Sequence, residues 1–204
     1  DNLMEQIIDL ANLRTAYKQV VRNKGKGGVD GMDVKELFSW CQSHIEDLRQ
    51  SLIDGTYVPN PVRRVEIPKD NGKKRLLGIP TVIDRMVQQA ISQVLSRIYE
   101  PKFSRTSYGF RPKRGAHDAL REARKNVTEG YKYAVGIDLE RFFDTVNQSK
   151  LIEVLSRTIK DGRVVSLIHK YLRSGVMVHG VLQPTEEGTP QGGPLSPLLS
   201  NIML

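Results

Sequence analysis

A hairpin signal about one third of the way along the chain most constrains the fold. Two short runs with strand character, 62–69 and 74–79, flank Asp70-Asn71-Gly72. An Asn-Gly pair between such runs favours a tight turn, because both residue types tolerate positive φ. Helical periodicity precedes Pro59 and resumes after Thr81, where the capping-box-like run 81–84 predicts the start of a helix. The chain is therefore predicted to be α+β, mostly helical with a small antiparallel sheet.

Apolar stripes at helical spacing predict a series of amphipathic helices. They cover 13–21, 34–52 and 82–98. Segment 114–128 is predicted to be a polar, Arg/Lys-rich helix, and further helices are expected over 148–159, 162–173 and from near Ser196. A second hairpin is expected over 176–181 and 183–187. Residues 133–137 are predicted to form a short apolar strand that runs directly into Asp138.

The charge is concentrated in the middle of the chain. The 204 residues include 31 Lys and Arg against 23 Asp and Glu, a net charge of +8, and residues 60–125 alone hold 16 basic and 6 acidic residues. This band makes a nucleic acid the first partner to consider, although a solvated basic surface is the simpler alternative. No apolar run approaches the roughly 20 residues that span a bilayer, so no membrane partner is expected.

Several common kinds of site are excluded by the residue inventory. The single cysteine, Cys41, rules out an internal disulfide and a Cys-based zinc cluster, and a reducing, cytoplasmic setting is expected. The four histidines share no metal-ligand spacing, and no serine lies in a nucleophile-elbow pattern. The phosphate loop of ordinary nucleotide-binding proteins is also absent from the sequence.

Asp138 is the leading candidate for chemistry. A carboxylate at the end of an apolar strand loses hydration at a high free-energy cost unless a cation or hydrogen-bond donors meet it. Asp144 follows six residues later. The residues alone leave two interpretations open, a metal site and ordinary helix-capping or turn-forming carboxylates.

Two basic features are candidates for phosphate binding. A tight turn would bring Lys69 and Arg75 together on facing arms of the first hairpin, where they could hold a polyphosphate or form a solvated tip. The Gly-rich segment 23–28 could surround a phosphate with backbone N–H groups.

Five segments taken in order resemble the sequence blocks of group II intron-encoded reverse transcriptases. They are the fingers blocks at 63–69 and 75–85, the next block at 107–112, the palm strand with its first aspartate at 135–144, and the Pro-Gln-Gly loop at 188–197. Residues 23–32 are similar to the N-terminal extension of this family. The resemblance covers nearly all of the chain and implies polymerase fingers followed by an incomplete palm.

The resemblance implies a role for particular residues. Asp138, helped by the Leu139 carbonyl, would bind two catalytic Mg²⁺ ions. The incoming dNTP would contact Lys69, Arg75, Gln191 and the backbone N–H groups of Arg141 and Phe142. The side chain of Phe143 would form the wall that excludes a ribose 2′-OH. The template or other RNA would contact Lys24, Lys26, Arg63, Arg64, Ile79, Arg111, Lys113 and Arg114, with Arg63 and Ile79 at the templating base.

The resemblance also implies a domain organisation. Residues 1–58 would form the N-terminal extension and first fingers helices, 59–130 the remaining fingers, and 131–204 a partial palm. Both ends of the sequence look cut, and the family's Asp-Asp block is expected downstream of Leu204. The parent protein would copy an RNA template from a DNA primer, whereas residues 1–204 alone are expected to be inactive in polymerisation.

Two functional alternatives remain at this stage. The parent could be an RNA-directed DNA polymerase that also binds its intron RNA and assists splicing. Alternatively, it could be a non-catalytic splicing cofactor that only binds intron RNA. Self-association into a homodimer is a further expectation, because amphipathic helices leave apolar patches.

Overall fold

The computed structural model describes residues 2–68, 72, 74–189 and 192–204, with only the backbone described at Arg75. Helices dominate this part of the chain. Their bounds are α1 Leu3–Ile8, α2 Leu10–Asn23, α3 Leu37–Ile53, α4 Val82–Tyr99, α5 Ala116–Thr128, α6 Phe142–Thr145, α7 Gln148–Thr158, α8 Gly162–Leu172 and α9 Ser196–Met203. The predicted helices are confirmed, with ends shifted by a few residues. The sequence pattern does not indicate α1 or the short α6.

A four-stranded sheet lies beside the helices. Its strands are β1 Val62–Pro68, β2 Lys74–Ile79, β3 Val176–Val178 and β4 Val181–Gln183, in the order β2-β1-β3-β4. β1 and β2 pair antiparallel, which confirms the first hairpin. β1 also pairs in parallel with β3, so the small sheet is mixed, with two antiparallel pairs and one parallel pair. The long helical connection between these strands lets them run in the same direction.

The second hairpin turns earlier than predicted. Its two-residue turn is His179 and Gly180, with φ of 48° and 80°, instead of a turn near Leu182. Two successive positive φ angles match the right-handed twist of the flanking strands. The pairs that signal such a turn most strongly are Asn-Gly, Asp-Gly and Gly-Gly, so His179-Gly180 gave only a weak sequence signal.

Helix α4 is the central element of the core. The Thr81 hydroxyl caps its first turn by accepting the Asp84 N–H at 3.1 Å, as the capping pattern predicts. Met86, Ala90 and Ile91 are fully buried along its apolar stripe. One continuous apolar cluster extends from α1 to α9 around this helix, so the first and last helices stabilise the same core.

Residues 131–139 do not form the predicted strand. They are irregular and exposed, and Tyr133, Val135 and Ile137 are 96%, 87% and 86% exposed. A strand requires a neighbour for its backbone N–H and C=O groups. Among the described residues no strand pairs with this segment. The preceding helix α5 likewise has no buried residue.

In the described parts of the chain, every helix is too short or too polar to span a membrane.

Candidate nucleotide-binding site

A cavity of about 210 Å³ lies where the first hairpin meets the segments around α6 and the start of the Pro-Gln-Gly loop. Cations, carboxylates, an aromatic ring and apolar groups all contribute to its wall. The lining residues are Val62, Arg64, Leu76, Leu77, Gly78, Arg141, Phe143, Asp144, Val176, Thr185, Glu187, Gly188 and Thr189. The fold therefore brings Arg141 and Phe143, two of the predicted nucleotide-binding residues, to one cavity.

The cavity wall at α6 depends on an unusual backbone conformation. Arg141 precedes the helix in the left-handed region, with φ 50° and ψ 37°. Its carbonyl accepts the Asp144 N–H at 2.8 Å, and its Nε lies 3.6 Å from the Asp144 carboxylate. This tight turn presents Arg141 and Phe143 to the same space.

Phe143 belongs to a small aromatic group. Its ring meets that of Phe110 edge-on, with centroids 6.2 Å apart, and that of Phe142 with centroids 6.1 Å apart. Such edge-to-face contacts favour one ring orientation. Phe110 and Phe142 thus both contact the ring that is predicted to form the 2′-OH wall.

The beginning of the Pro-Gln-Gly loop is bound to the α6 segment by its backbone. The Gly188 N–H donates to the Val146 carbonyl at 2.7 Å, and the Thr189 N–H donates to the Phe143 carbonyl at 2.6 Å. Gly188 has φ +80°, and a Cβ there would lie 2.7 Å from the Asp144 carbonyl oxygen. Only glycine allows this approach without a shift of the backbone.

The other end of the same loop contacts the hairpin and α4. Gly192 has φ +114° and packs so closely on the Gly78 carbonyl that a Cβ has no space. Gly193 is similarly close to the Gln88 side chain. The loop therefore joins the fingers hairpin to the α6 segment, and the cavity lies between these two attachments.

Three predicted nucleotide contacts lie outside the described residues. They are Lys69, Gln191 and the side chain of Arg75. The Cα of Arg75 pairs with that of Ile67 across the hairpin. The roles of all three stay predictions.

Asp138 is exposed, and the apolar strand expected over 133–137 before it is not formed, whereas its role as a metal ligand stays a prediction. The described residues contain no group of three His, Cys, Asp or Glu side chains that could hold a metal ion. Asp138 and the Leu139 carbonyl are oxygen ligands of the type Mg²⁺ prefers, but they do not make up a two-ion site by themselves.

The two residues expected at the templating base are neighbours. Arg63 and Ile79 pair directly across the β1–β2 ladder. The Arg63 guanidinium donates from Nε and Nη2 to the Gly27 carbonyl at 3.1 and 2.7 Å. Arg63 thus links the hairpin to the N-terminal loop, and its contact with a template stays a prediction.

The N-terminal loop is attached through its carbonyl groups. Arg85 donates to the Lys24 carbonyl at 3.0 Å and to the Lys26 carbonyl at 2.9 Å. Partial burial lowers the pKa of the Arg85 guanidinium, and nearby Asp30 opposes that effect. Lys24 and Lys26 themselves are exposed. Their contact with RNA, and the phosphate nest proposed for segment 23–28, stay predictions.

Arg111 differs in environment from the other predicted RNA contacts. Its side chain is only 3% exposed, and its donors are directed to the Glu100 carboxylate and carbonyl and to the Ser104 and Ser107 carbonyls. The guanidinium organises the 100–111 segment, so phosphate binding there would require these bonds to break. Lys113 is exposed and Arg114 half-buried on the surface that follows.

A buried hydrogen-bond network centred on the Asp84 carboxylate was not indicated by the sequence. Asp84 is 1% exposed and accepts hydrogen bonds from the Tyr57, Thr81 and Tyr171 hydroxyls at 2.6, 2.7 and 3.1 Å, and from the Asn60 backbone N–H at 3.1 Å. Burial is the larger cause of the raised pKa of Tyr57, and the negative charge of Asp84 raises it further. Gln148, another buried polar residue, was also missed. An acidic or amide residue on an apolar helical stripe is the signal that could have identified both.

The matching family model is "Reverse transcriptase (RNA-dependent DNA polymerase)", and it covers residues 67–204. Protein YkfC of Escherichia coli is 41% identical over 181 residues, which cover 87% of this chain and 48% of YkfC. Group II intron-encoded protein LtrA of Lactococcus lactis is 43% identical over 193 residues, 93% of this chain and 31% of LtrA. The chain therefore spans about half of one relative and about a third of the other.

A further relative and a solved structure are also similar to this chain. Nuclear intron maturase 2 of Arabidopsis thaliana is 38% identical over 98 residues, 48% of this chain and 13% of that protein. Among solved structures, a partial Cas6-RT-Cas1–Cas2 complex matches 98% of this chain and 33% of the compared chain, with a TM-score of 0.65 and 25% identity. The resemblance to intron-encoded reverse transcriptases and the α+β polymerase fold are confirmed. The chain belongs to the reverse transcriptase (RNA-dependent DNA polymerase) family.

Proposed function

We propose that this chain is the fingers and first palm portion of an RNA-directed DNA polymerase encoded by a group II intron, and that it binds the incoming dNTP. The cavity between the hairpin and the α6 segment carries this proposal. It combines cations that suit phosphates with an aromatic ring that suits a sugar or base. The relatives named as intron-encoded proteins and maturases support the same assignment.

Within the cavity, Arg141 and Arg64 supply positive charge near the triphosphate, and Phe143 limits space at the sugar. Lys69, Arg75 and Gln191 complete the nucleotide contacts on the strength of the family resemblance. Arg64 was predicted at the template, but its place in this wall favours a nucleotide contact. Arginine suits this role because its planar group binds two phosphate oxygens at once.

Divalent metal ions are the cofactors of this family in general. We propose that Asp138, with the Leu139 carbonyl, contributes to a site for two Mg²⁺ ions in the longer protein. When bound, such ions stabilise the attacking and leaving oxygens of phosphoryl transfer. The described residues alone do not complete this site.

NMR titration of residues 1–204 with dCTP tests nucleotide binding directly. Amide shifts are expected at Arg141, Phe143 and Gly188. Arg141→Gln should weaken binding about three- to tenfold, since it removes one charge-assisted contact. Arg157→Gln is the matched control, because Arg157 forms an exposed ion pair with Glu153 on α7. Shifts confined to other surfaces, or equal losses in both variants, would contradict the proposal.

Binding of intron RNA is the second candidate function, favoured by the exposed Lys24 and Lys26 on a loop held by Arg63 and Arg85. The double variant Lys24→Gln, Lys26→Gln should weaken RNA binding and reduce its salt dependence. Asp138→Ala should leave RNA binding unchanged. Filter binding over a range of KCl concentrations measures both, and a double variant with wild-type affinity would exclude this loop.

A further inference from the structure

Gln148 is a buried polar residue that belongs to none of the predicted contacts. It is 5% exposed at the first position of α7, where the Asn147 side chain caps the helix by accepting the Lys150 N–H at 2.9 Å. Its Nε2 donates to the Leu172 carbonyl at 3.0 Å and to the Gly188 carbonyl at 3.1 Å. Both protons of one amide group are therefore used to join the end of α8 to the Pro-Gln-Gly loop.

Gly188 and Thr189 are hydrogen-bonded to the segment that contains Phe143. The Gly188 N–H is held by the Val146 carbonyl, while its own carbonyl is held by Gln148. The next residue, Thr189, donates its N–H to the Phe143 carbonyl at 2.6 Å. The C=O and the N–H of the Gly188–Thr189 peptide are thus both bound to the 143–148 segment.

Little free space remains for alternative loop positions. A Cβ at Gly188 would lie 2.7 Å from the Asp144 carbonyl oxygen and 2.9 Å from that of Phe143. In close-packed backbone of this kind, a displacement of the loop is transmitted to its neighbours. A displacement of the Gly188–Thr189 peptide would therefore break or strain its hydrogen bond to the Phe143 carbonyl.

We propose that Gln148 is a positioning residue that sets the discrimination of the site between deoxyribonucleotides and ribonucleotides. It does so by fixing the Gly188–Thr189 peptide and, through it, the ring of Phe143. The inference rests on the proposed nucleotide-binding function. The property in question is the ratio of the affinities for dCTP and CTP, and a general loss of stability would weaken both affinities alike.

Gln148→Met tests the idea, because it keeps the side-chain length and removes both donors. NMR titrations with dCTP and CTP give the ratio of their dissociation constants. We expect Gln148→Met to reduce the preference for dCTP about threefold or more, the effect of roughly one weakened hydrogen bond. Gln93→Met is the matched control: Gln93 also donates from Nε2 to two acceptors, the carbonyl and side chain of Asn12, away from the cavity.

A second measurement does not depend on nucleotide binding. Hydrogen exchange at the Gly188 and Thr189 amides should accelerate in Gln148→Met relative to Gln93→Met, since the loop loses one of its attachments. If Gln148→Met does not fold, Gln148→Asn keeps an amide that is too short to reach both carbonyls. It should give the same two effects.

The outcomes separate the two proposals. Absence of dCTP binding by the wild-type chain overturns the nucleotide function, and exchange at Gly188 and Thr189 then decides the positioning role alone. Normal dCTP binding with an unchanged dCTP/CTP ratio in Gln148→Met overturns the inference about Gln148. A changed ratio in Gln93→Met of equal size also overturns it, because the effect would then be one of stability.

Discussion

The Arg63 guanidinium donates two hydrogen bonds to the carbonyl oxygen of Gly27, 36 residues earlier in the chain. This contact joins the first strand of the hairpin to the basic N-terminal loop. The adjacent Arg64 instead lines the cavity between the hairpin and the α6 segment, on the other side of the strand. Alternation along β1 thus separates two arginines that look equivalent in the sequence.

Loss of the Arg63 contact should loosen the N-terminal loop. We expect Arg63→Ala to increase trypsin cleavage after Lys24 and Lys26 about tenfold, since cleavage follows the population of the open loop. Arg64→Ala is the control, because Arg64 makes no hydrogen bond to this loop in the described structure. Limited proteolysis followed by mass spectrometry measures both rates, and equal rates would contradict the assigned role.

The buried carboxylate of Asp84 should contribute strongly to stability. Asp84→Asn replaces a charged acceptor of several hydrogen bonds by an amide with a single acceptor oxygen. A loss of about 2 kcal/mol or more in the free energy of unfolding is expected. The control is Asp47→Asn on the exposed face of α3, which should change stability by about 0.5 kcal/mol or less. Urea titration of both variants checks this difference.

The same network predicts a dependence on alkaline pH. Burial, together with Asp84, raises the pKa of Tyr57 and Tyr171 above the ordinary tyrosine value of about 10. A raised pKa in the folded state contributes stability that is complete below about pH 10 and is lost as pH rises above it. The slope approaches about 1.4 kcal/mol per pH unit for each phenol.

Urea unfolding of Tyr57→Phe between pH 8 and 11 tests that slope. The variant should lose stability less steeply above pH 10 than the wild type, because one of the two phenols no longer titrates. Tyr131→Phe, on an exposed side chain, should keep the wild-type slope. Identical slopes in all three proteins would argue against the network as the origin of the effect.

Arg111 should act on stability more than on RNA binding. Arg111→Lys cannot satisfy the acceptors of Glu100, Ser104 and Ser107 together, so a loss of about 2–4 kcal/mol is expected. At temperatures where the variant is folded, its RNA affinity should match that of the wild type. Lys113→Gln should show the opposite pattern, with normal stability and a smaller salt dependence of RNA binding.

The close approach of Gly192 to Gly78 should be required for nucleotide binding. Gly192→Ala introduces both a strained φ of +114° and a methyl group that collides with the Gly78 carbonyl. Gly180→Ala, at φ +80° with open space around it, reproduces the strain without the collision. We expect Gly192→Ala to weaken dCTP binding about tenfold, and Gly180→Ala to leave it unchanged, in NMR titrations. Equal affinities would show that loop contact with the hairpin is not needed.

Local sequence signals determined much of this protein. The Asn-Gly turn predicted the first hairpin, the Thr81 cap and apolar stripe predicted α4, and the ordered motifs indicated the family. These features depend on backbone preferences and periodicity within a few residues of one another, which a sequence displays directly. The concentration of positive charge in residues 60–125 is equally visible without a structure.

Only the tertiary structure decided how distant residues are used. It directed Arg63 and Arg111 to internal carbonyl groups, and it left the apolar 131–137 segment exposed instead of paired in a sheet. It also brought Gln148 to Gly188 across 40 residues. Hydrogen-bond partners and strand neighbours depend on which elements meet in space, and no local pattern contains that information. The basic band in the sequence is therefore, in the folded chain, part structural support and part exposed surface.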